Sequence, residues 1–128
     1  METFDYTVRT TKTFDEAVSS VEAKTKEKGF AVLHTHDIKA IFASKGIERE
    51  PLKLIEICNA TYASRVLTQD IKIALMLPCR ISVYRKDGKT YISALRPRVI
   101  ADLYPQADIG ALAQEIDTIV LNIVDESK

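Results

Sequence analysis

The chain opens with apolar residues at every second position, and the spacing then changes to that of a helix. Phe4, Tyr6 and Val8 are separated by single polar residues, which is the period of a strand with one buried face. Apolar residues over 14–28 then recur at helical spacing, and Gly29 follows at a position where helices commonly end. The pattern predicts a strand followed by a helix.

Two helices have the clearest signals in the chain. Thr13 and Glu16 have capping-box spacing, so their side chains and backbone amides can satisfy each other at the start of helix 14–28. The last helix keeps its apolar period from Ile109 to Val124 and has a wide apolar face. Because uncovered apolar surface tends to mark an interface, we expect this last helix to promote self-association.

Strands joined by short helical segments are predicted between these two helices. Asp87-Gly88 is a strong signal for a two-residue hairpin. Residues 71–86 are predicted to be extended, with a bend or bulge at Pro78 because proline cannot donate to a sheet ladder. The other predicted elements are strands 30–36 and 52–58, a short helix capped by Asp37, a helix capped by Asn59, and a short helix from Pro97 to Tyr104.

This order predicts an α+β fold of the form β-α-β-β-β-β-α with short helical insertions. Strands that follow one another through short links favour antiparallel pairing. We therefore expect a mainly antiparallel sheet of four to five strands, with the two long helices on one face. Residues 1–128 contain no repeat or linker-like composition, so they are predicted to form a single domain.

Composition narrows the classes of function. Eighteen basic residues balance eighteen acidic residues, whereas dedicated nucleic-acid binders are usually basic. The residues from Met1 to Asp5 lack the features of an export signal, and the apolar run Ile73–Leu77 is too short to span a bilayer. We expect a cytoplasmic protein that binds neither nucleic acid nor membrane, with two reduced cysteines and no cofactor.

Two cysteine-centred motifs carry a family resemblance. The stretch Glu56-Ile57-Cys58-Asn59-Ala60 is followed by Leu75-Met76-Leu77-Pro78-Cys79-Arg80, and together they resemble the prokaryotic family known as domain of unknown function 302. Ala60 stands where that family often has proline, and Met76 where it often has leucine. The resemblance covers essentially the whole chain and implies a TBP-like arrangement with a curved sheet and self-association, but no activity.

The candidate site lies at these cysteines. If the strands that contain Cys58 and Cys79 pair antiparallel, the two thiols lie near each other at one end of the sheet. Cys58 also precedes a helix start, where a thiol should ionise more readily. Asn59 is a further candidate ligand-binding residue, together with Pro78 and Arg80. A packing role for both cysteines remains the alternative, because free cysteine is often buried.

The two histidines suggest a second, weaker site. His34 and His36 point to the same face of a strand, so both imidazoles could bind one metal ion. Two surface histidines without a metal are the favoured interpretation. Glu56, inside an apolar strand, is interpreted as an outward-facing residue or, less favourably, as a partly buried acid beside the cysteines.

Three classes of function remain open. The favoured one is a small homodimeric binding module with a pocket at the Cys58/Cys79 end of the sheet, for a small anionic ligand. The second is a thiol-dependent enzyme or thiol carrier that uses Cys58 or Cys79 as the nucleophile. The third is a protein–protein interaction module without a small ligand.

Overall fold

A computed structural model describes residues 4–128 of the chain. The N-terminal residues 1–3, on which part of the export argument rests, lie outside the described residues. The elements alternate much as the apolar pattern predicts. They are β1 (Asp5–Thr10), α1 (Phe14–Glu27), β2 (Ala31–Asp37), α2 (Ile38–Ala43), β3 (Leu52–Cys58), α3 (Ala60–Gln69), a 3₁₀ helix (Ile71–Met76), β4 (Cys79–Lys86), β5 (Lys89–Leu95), α4 (Arg98–Leu103) and α5 (Gly110–Ser127).

The five strands form one antiparallel sheet in the order β1-β5-β4-β3-β2. This confirms the predicted α+β class, the antiparallel pairing and the upper end of the predicted strand number. Asp87 and Gly88 have φ angles of 52° and 76°, so both residues at the tip of the β4–β5 hairpin are left-handed. That conformation fits the right-handed twist of the flanking strands and explains why this dipeptide marks the turn.

One face of the sheet carries the core, because apolar residues occupy alternate positions of the central strands. Ile55 of β3 is paired with Ile81 of β4, Ile57 and Val83 lie on the same face of these strands, and all four are fully buried. Helix α1 packs across β2 to β5 and α5 packs over β1 and β5. The buried stripe of α5 completes this core with Ile116, Val120, Ile123 and Val124.

The predicted helix caps are present. Thr13 accepts a hydrogen bond from the Glu16 amide at 3.2 Å, and the Glu16 carboxylate accepts one from the Thr13 amide at 2.9 Å. Asp37 accepts from the Ala40 amide at 3.0 Å at the start of α2. Each cap satisfies a backbone donor that would otherwise lack a partner in the first helical turn.

The extended segment predicted to begin at Ile71 is wrong for residues 71–76, which form a 3₁₀ helix. The Asp70 carboxylate accepts from the Lys72 amide at 2.9 Å, and this local bond favours a turn over a strand. Ile73 is fully buried while Ile71 and Leu75 are exposed. The strand starts only at Cys79, after a cis peptide bond between Leu77 and Pro78.

The wide apolar face of helix α5 is largely buried against other parts of the chain. Leu112, Ile119 and Leu121 are partly buried, and the other large apolar residues of the helix are buried. Helices α1, α3 and α4 contact α5 and account for this cover. The apolar face of α5 is therefore largely covered within the chain and gives little separate support for self-association. Within residues 4–128, every helix falls short of the length and apolarity needed to cross a membrane.

Candidate functional site

The strand register brings the two cysteines to the same end of the sheet. Ile57 is paired with Cys79 across β3 and β4, so Cys58 is the sequence neighbour of the residue opposite Cys79. Both thiols are free, and both residues are partly buried. The side chains of Cys58 and Cys79 border the same cavity. The predicted proximity of the two cysteines follows from this pairing.

Three small cavities surround Cys79. The first, of about 20 Å³, lies between Cys58, Cys79 and the ring of Tyr62. The second, also about 20 Å³, lies between Cys79 and the apolar side chains of α4 and α5. The third, about 60 Å³, is bordered by Pro78 and Arg80. A single water needs roughly 10–15 Å³ and ligand pockets measure roughly 300–1,000 Å³, so each cavity admits only a few atoms.

Burial favours the protonated form of both thiols. Burial raises the pKa of Cys58 above its ordinary value. Burial also raises the pKa of Cys79 to about 11, with a smaller contribution from the neighbouring Cys58, while Arg80 acts in the opposite direction. These directions run against the expectation of an easily ionised thiol at the helix start. Because the thiolate is the nucleophile, these shifts weigh against the thiol-dependent enzyme or thiol carrier.

The other candidate residues have structural partners. Asn59 accepts a hydrogen bond from the Tyr62 amide at 3.1 Å, which caps α3, and donates from its amide nitrogen to the Gly29 carbonyl at 3.1 Å. Asn59 thus ties the start of α3 to the turn before β2. Arg80 is exposed, and its Nε lies 3.8 Å from a carboxylate oxygen of Glu56. Cys58, Asn59, Pro78, Cys79 and Arg80 are therefore brought together at this end, around cavities smaller than a ligand.

The histidine pair lies on the face of the sheet that points away from α1 and α5. The rings of His34 and His36 meet edge to face with centroids 4.3 Å apart, and His36 Nε2 lies 3.3 Å from Glu56 Oε1. Glu56 faces outward, as favoured from the sequence, and its side chain is 22% exposed. Among residues 4–128, the histidine, cysteine and acidic side chains form no group of three or more that could hold a metal ion.

An exposed apolar surface at the cysteine end was missed by the sequence reasoning. Ile71 is 71% exposed and Leu75 is 82% exposed, both on the 3₁₀ helix. Leu95 and Leu103 are also exposed. Leu95 of β5 borders the same cavity as Met76 of the 3₁₀ helix, and Leu103 of α4 precedes Tyr104, whose hydroxyl donates to the Lys72 carbonyl. The sequence predicts an extended segment over residues 71–86, and that prediction gives no reason to expect exposed apolar side chains at Ile71 and Leu75. We call Ile71, Leu75, Leu95 and Leu103 the 3₁₀ surface.

Comparisons with known proteins agree with the motif resemblance. The family model described as "Domain of unknown function DUF302" matches residues 6–127. The crystal structure of an uncharacterized conserved protein DUF302 from Bacillus stearothermophilus matches with a TM-score of 0.93 and 26% sequence identity. The match covers 99% of this chain and 100% of that chain. A search of curated proteins gives no match. No specific function follows from these findings.

Proposed function

Because the chain belongs to the DUF302 family, to which these matches attach no reaction, we propose that the protein is a non-catalytic binding module that pairs with a second copy of itself through the 3₁₀ surface. The proposal keeps the homodimer expected from the sequence. It moves the contact from α5, whose apolar residues are covered, to the end of the sheet that carries the cysteines.

The exposure of Ile71 and Leu75 carries the proposal. These large aliphatic side chains are 71% and 82% exposed, and burying a leucine or isoleucine contributes about 1.5–3 kcal/mol. They lie four residues apart in a single 3₁₀ segment, which is about one and a third turns. Exposed apolar side chains grouped in one short segment mark interaction sites more often than scattered single residues do.

The segment that presents these side chains is anchored to the core. Ile73 is fully buried between the two exposed positions. Asp70 caps the segment at 2.9 Å, and the Tyr104 hydroxyl donates to the Lys72 carbonyl at 3.4 Å. Because these three contacts already hold the 3₁₀ helix in place, its side chains lose little conformational entropy when a partner binds.

A second copy of the chain is the partner that fits best. The formal net charge is zero, so two copies approach without overall repulsion. A two-fold contact also buries the same apolar side chains on both copies. Each exposed residue of the chain therefore contributes its apolar area to the interface twice. The residues of the 3₁₀ surface are uncharged, which suits the centre of such an interface.

Sedimentation velocity on the purified chain tests this proposal. We expect a dimer at micromolar concentration, and monomers for Ile71→Glu and Leu75→Glu because each places a charge at the centre of the contact. Leu33→Glu is the matched control, since Leu33 is 55% exposed on the edge strand β2 and should leave the dimer intact. A wild-type protein that is only monomeric contradicts the proposal, as does a dimer lost only in Leu33→Glu.

A ligand site around Cys79 is the second candidate function. It rests on the three cavities that border this residue. Leu77 lines two of them, so displacement of its side chain would join them into a larger space. The linings of these two cavities are almost entirely apolar, and an unpaired buried anion is costly. A ligand at this end is therefore proposed to be small and uncharged.

Benzene is a suitable probe for that second candidate. Titration should shift the methyl signals of Ile57, Ile100 and Ile116 in a saturable way, because these residues line the cavities. Cys79→Leu should abolish the shifts by filling the space. Shifts that do not saturate, or that persist unchanged in Cys79→Leu, would remove this candidate while leaving the dimer proposal intact.

Two finer expectations stay proposals. The free thiols of Cys58 and Cys79 support a cytoplasmic location, because a reducing compartment keeps cysteines unpaired. The antiparallel sheet with the two long helices α1 and α5 on one face supports the TBP-like arrangement that the family resemblance implies. Neither carries a functional argument, since function depends on sites and not on folds.

A further inference from the structure

The far end of the sheet carries a groove that neither the motifs nor the dimer proposal involve. It lies between α2, the loop before β3 and the end of β4, and its volume is about 310 Å³. That volume reaches the lower end of the range for small-molecule sites, roughly 300–1,000 Å³. The groove is at the β4–β5 hairpin end, opposite the end where Cys79 begins β4.

Helix α2 makes one wall of this groove apolar. The helix has six residues, and none of them is buried although three are large and apolar. Ile38 and Phe42 line the groove together with Leu52 of β3 and Tyr84 of β4. Strand alternation points Leu52 and Tyr84 away from the core face. The apolar side of α2 therefore covers part of the outer face of the sheet without closing over it.

The floor of the groove is rigid. The Tyr84 ring stacks on the Tyr91 ring with centroids 5.4 Å apart and an interplanar angle of 19°. The amide of Arg85 donates to the Pro51 carbonyl at 3.0 Å, which fixes the loop against β4. The Arg85 guanidinium donates to the Gly88 carbonyl at 3.0 Å and so belongs to the hairpin turn. The aromatic surface is thus formed before any ligand arrives.

Cationic side chains surround the apolar wall. Arg49 lies over the Phe42 ring with its guanidinium carbon 5.5 Å from the ring centre. Lys86 lines the groove, and strand pairing places Lys89 opposite Lys86 and Arg9 opposite Tyr91. Within the described residues 4–128, none of these four cations lies within 4.0 Å of a carboxylate. Glu50 is the acidic residue in the lining.

From this arrangement we infer that the groove binds a small amphiphilic anion, a molecule with a flat or aliphatic body and one carboxylate or phosphate group. The body packs on Phe42, Leu52 and Tyr84, where apolar area is buried. The anionic group is held at the mouth by Arg49 and Lys86 through charge-assisted hydrogen bonds. This site accounts for the small anionic ligand expected from the sequence, at a different place from the cysteines.

The inference is independent of the proposed self-association. The groove residues and the 3₁₀ surface lie at opposite ends of β4. Substitution of Ile71 or Leu75 should therefore leave the groove unchanged. Failure of one proposal can be distinguished from failure of the other, because the first is read by oligomeric state and the second by ligand titration.

A matched pair of probes tests the charge and the body separately. 4-Phenylbutyrate and 4-phenyl-1-butanol share the same body and differ in the anionic group. In amide NMR titrations of the full chain, both should shift residues of α2 and the amides of Leu52 and Tyr84 in a saturable way. We expect the acid to bind about tenfold more tightly than the alcohol, which is the ratio for about 1.4 kcal/mol.

Two variants and a control locate the contact. Arg49→Gln should reduce the affinity for the acid toward that for the alcohol, because it removes the cation and keeps a polar side chain. Phe42→Ala should weaken both probes. Lys45→Gln is the control, since Lys45 is an exposed cation just after α2 and outside the lining. It should retain the preference for the acid.

Three results would overturn the inference. The first is equal binding of the two probes to the wild-type chain, and the second is the absence of saturable shifts at these residues. The third is a shift of the same residues on raising protein concentration without a probe, which would show that a second copy occupies the groove. The amide spectrum of Arg49→Gln serves as the control for folding. Signals outside α2 and the residues next to it should match those of the wild-type chain if the variant is folded.

Discussion

Arg96 and Asp117 form an ion pair of 2.8 Å that joins the end of β5 to the middle of α5. The Asp117 side chain is only 1% exposed and that of Arg96 is 17% exposed. Asp117 also accepts a hydrogen bond from the Arg98 amide at 3.2 Å, at the start of α4. One carboxylate thus fixes the position of three elements, and this explains the charged residue on the buried face of α5.

Asp117→Asn should destabilise the fold by about 3 kcal/mol, because it removes the buried negative charge that pairs with the Arg96 guanidinium. Urea unfolding followed by circular dichroism measures this change. Asp102→Asn is the matched control, since Asp102 is exposed and should change the free energy of unfolding by less than about 0.5 kcal/mol. Equal effects of the two substitutions would show that the Arg96–Asp117 pair is not a structural anchor.

The protonated thiols should react slowly with alkylating agents. A pKa of about 11 instead of 9.0 for Cys79 leaves about 100-fold less thiolate at neutral pH than an ordinary cysteine has. Mass spectrometry after iodoacetamide treatment should show Cys58 modified before Cys79, and both modified more slowly than in urea. Rapid modification of Cys79 in the folded chain would contradict the structure and restore the thiol enzyme as a candidate.

The raised pKa of Cys79 also predicts how stability depends on pH. The folded state favours the protonated thiol, so the raised pKa of Cys79 contributes to the free energy of unfolding. This contribution is present below the ordinary pKa of 9.0 and is lost as the pH rises toward about 11. Its full size is at most about 3 kcal/mol. Wild type should lose more stability over this range than Cys79→Val, whose side chain does not titrate.

The comparison with Cys79→Val controls for other groups that titrate in this range. Hydrogen bonds to carboxylates also raise the pKa values of Tyr6 and Tyr62, and both tyrosines are present in each protein. Subtracting the two unfolding curves at each pH isolates the cysteine. Parallel loss of stability in wild type and Cys79→Val would mean that the thiol has an ordinary pKa in the folded state.

Local signals in the sequence sufficed to predict most of the fold. The Thr13/Glu16 capping box, the Asp37 and Asn59 caps and the Asp87-Gly88 turn each depend on neighbours within a few residues. Such features fix where elements start and end, and alternating apolar positions fix the buried face of each strand. The antiparallel order then follows from the short connections.

The parts that could not be predicted depend on distant residues. Residues 71–77 are apolar enough for a strand, and only the burial of Ile73 in the core and the Asp70 cap select the 3₁₀ helix. The proton affinity of Cys79 depends on side chains of α4 and α5 that close around it. The α2 groove likewise needs the register of β3 and β4, which places Leu52 opposite Tyr84.

A pair of alanine substitutions separates folding from association in the 3₁₀ helix. Ile73 is fully buried and Leu75 is 82% exposed. Ile73→Ala should therefore cost about 2–4 kcal/mol of unfolding free energy through the cavity it leaves. Leu75→Ala should cost less than about 0.5 kcal/mol in the monomer. Thermal unfolding at two protein concentrations distinguishes the roles, since a dimer that dissociates on unfolding melts at a higher temperature when it is concentrated.

We expect that concentration dependence in wild type and in Ile73→Ala, shifted to lower temperature in the latter, and a much weaker dependence in Leu75→Ala. Such a result would assign the buried residue to the fold and the exposed residue to the contact between copies. If Leu75→Ala instead lowered the melting temperature equally at both concentrations, the side chain would be stabilising its own chain. The 3₁₀ surface would then lose the observation on which the proposed dimer rests.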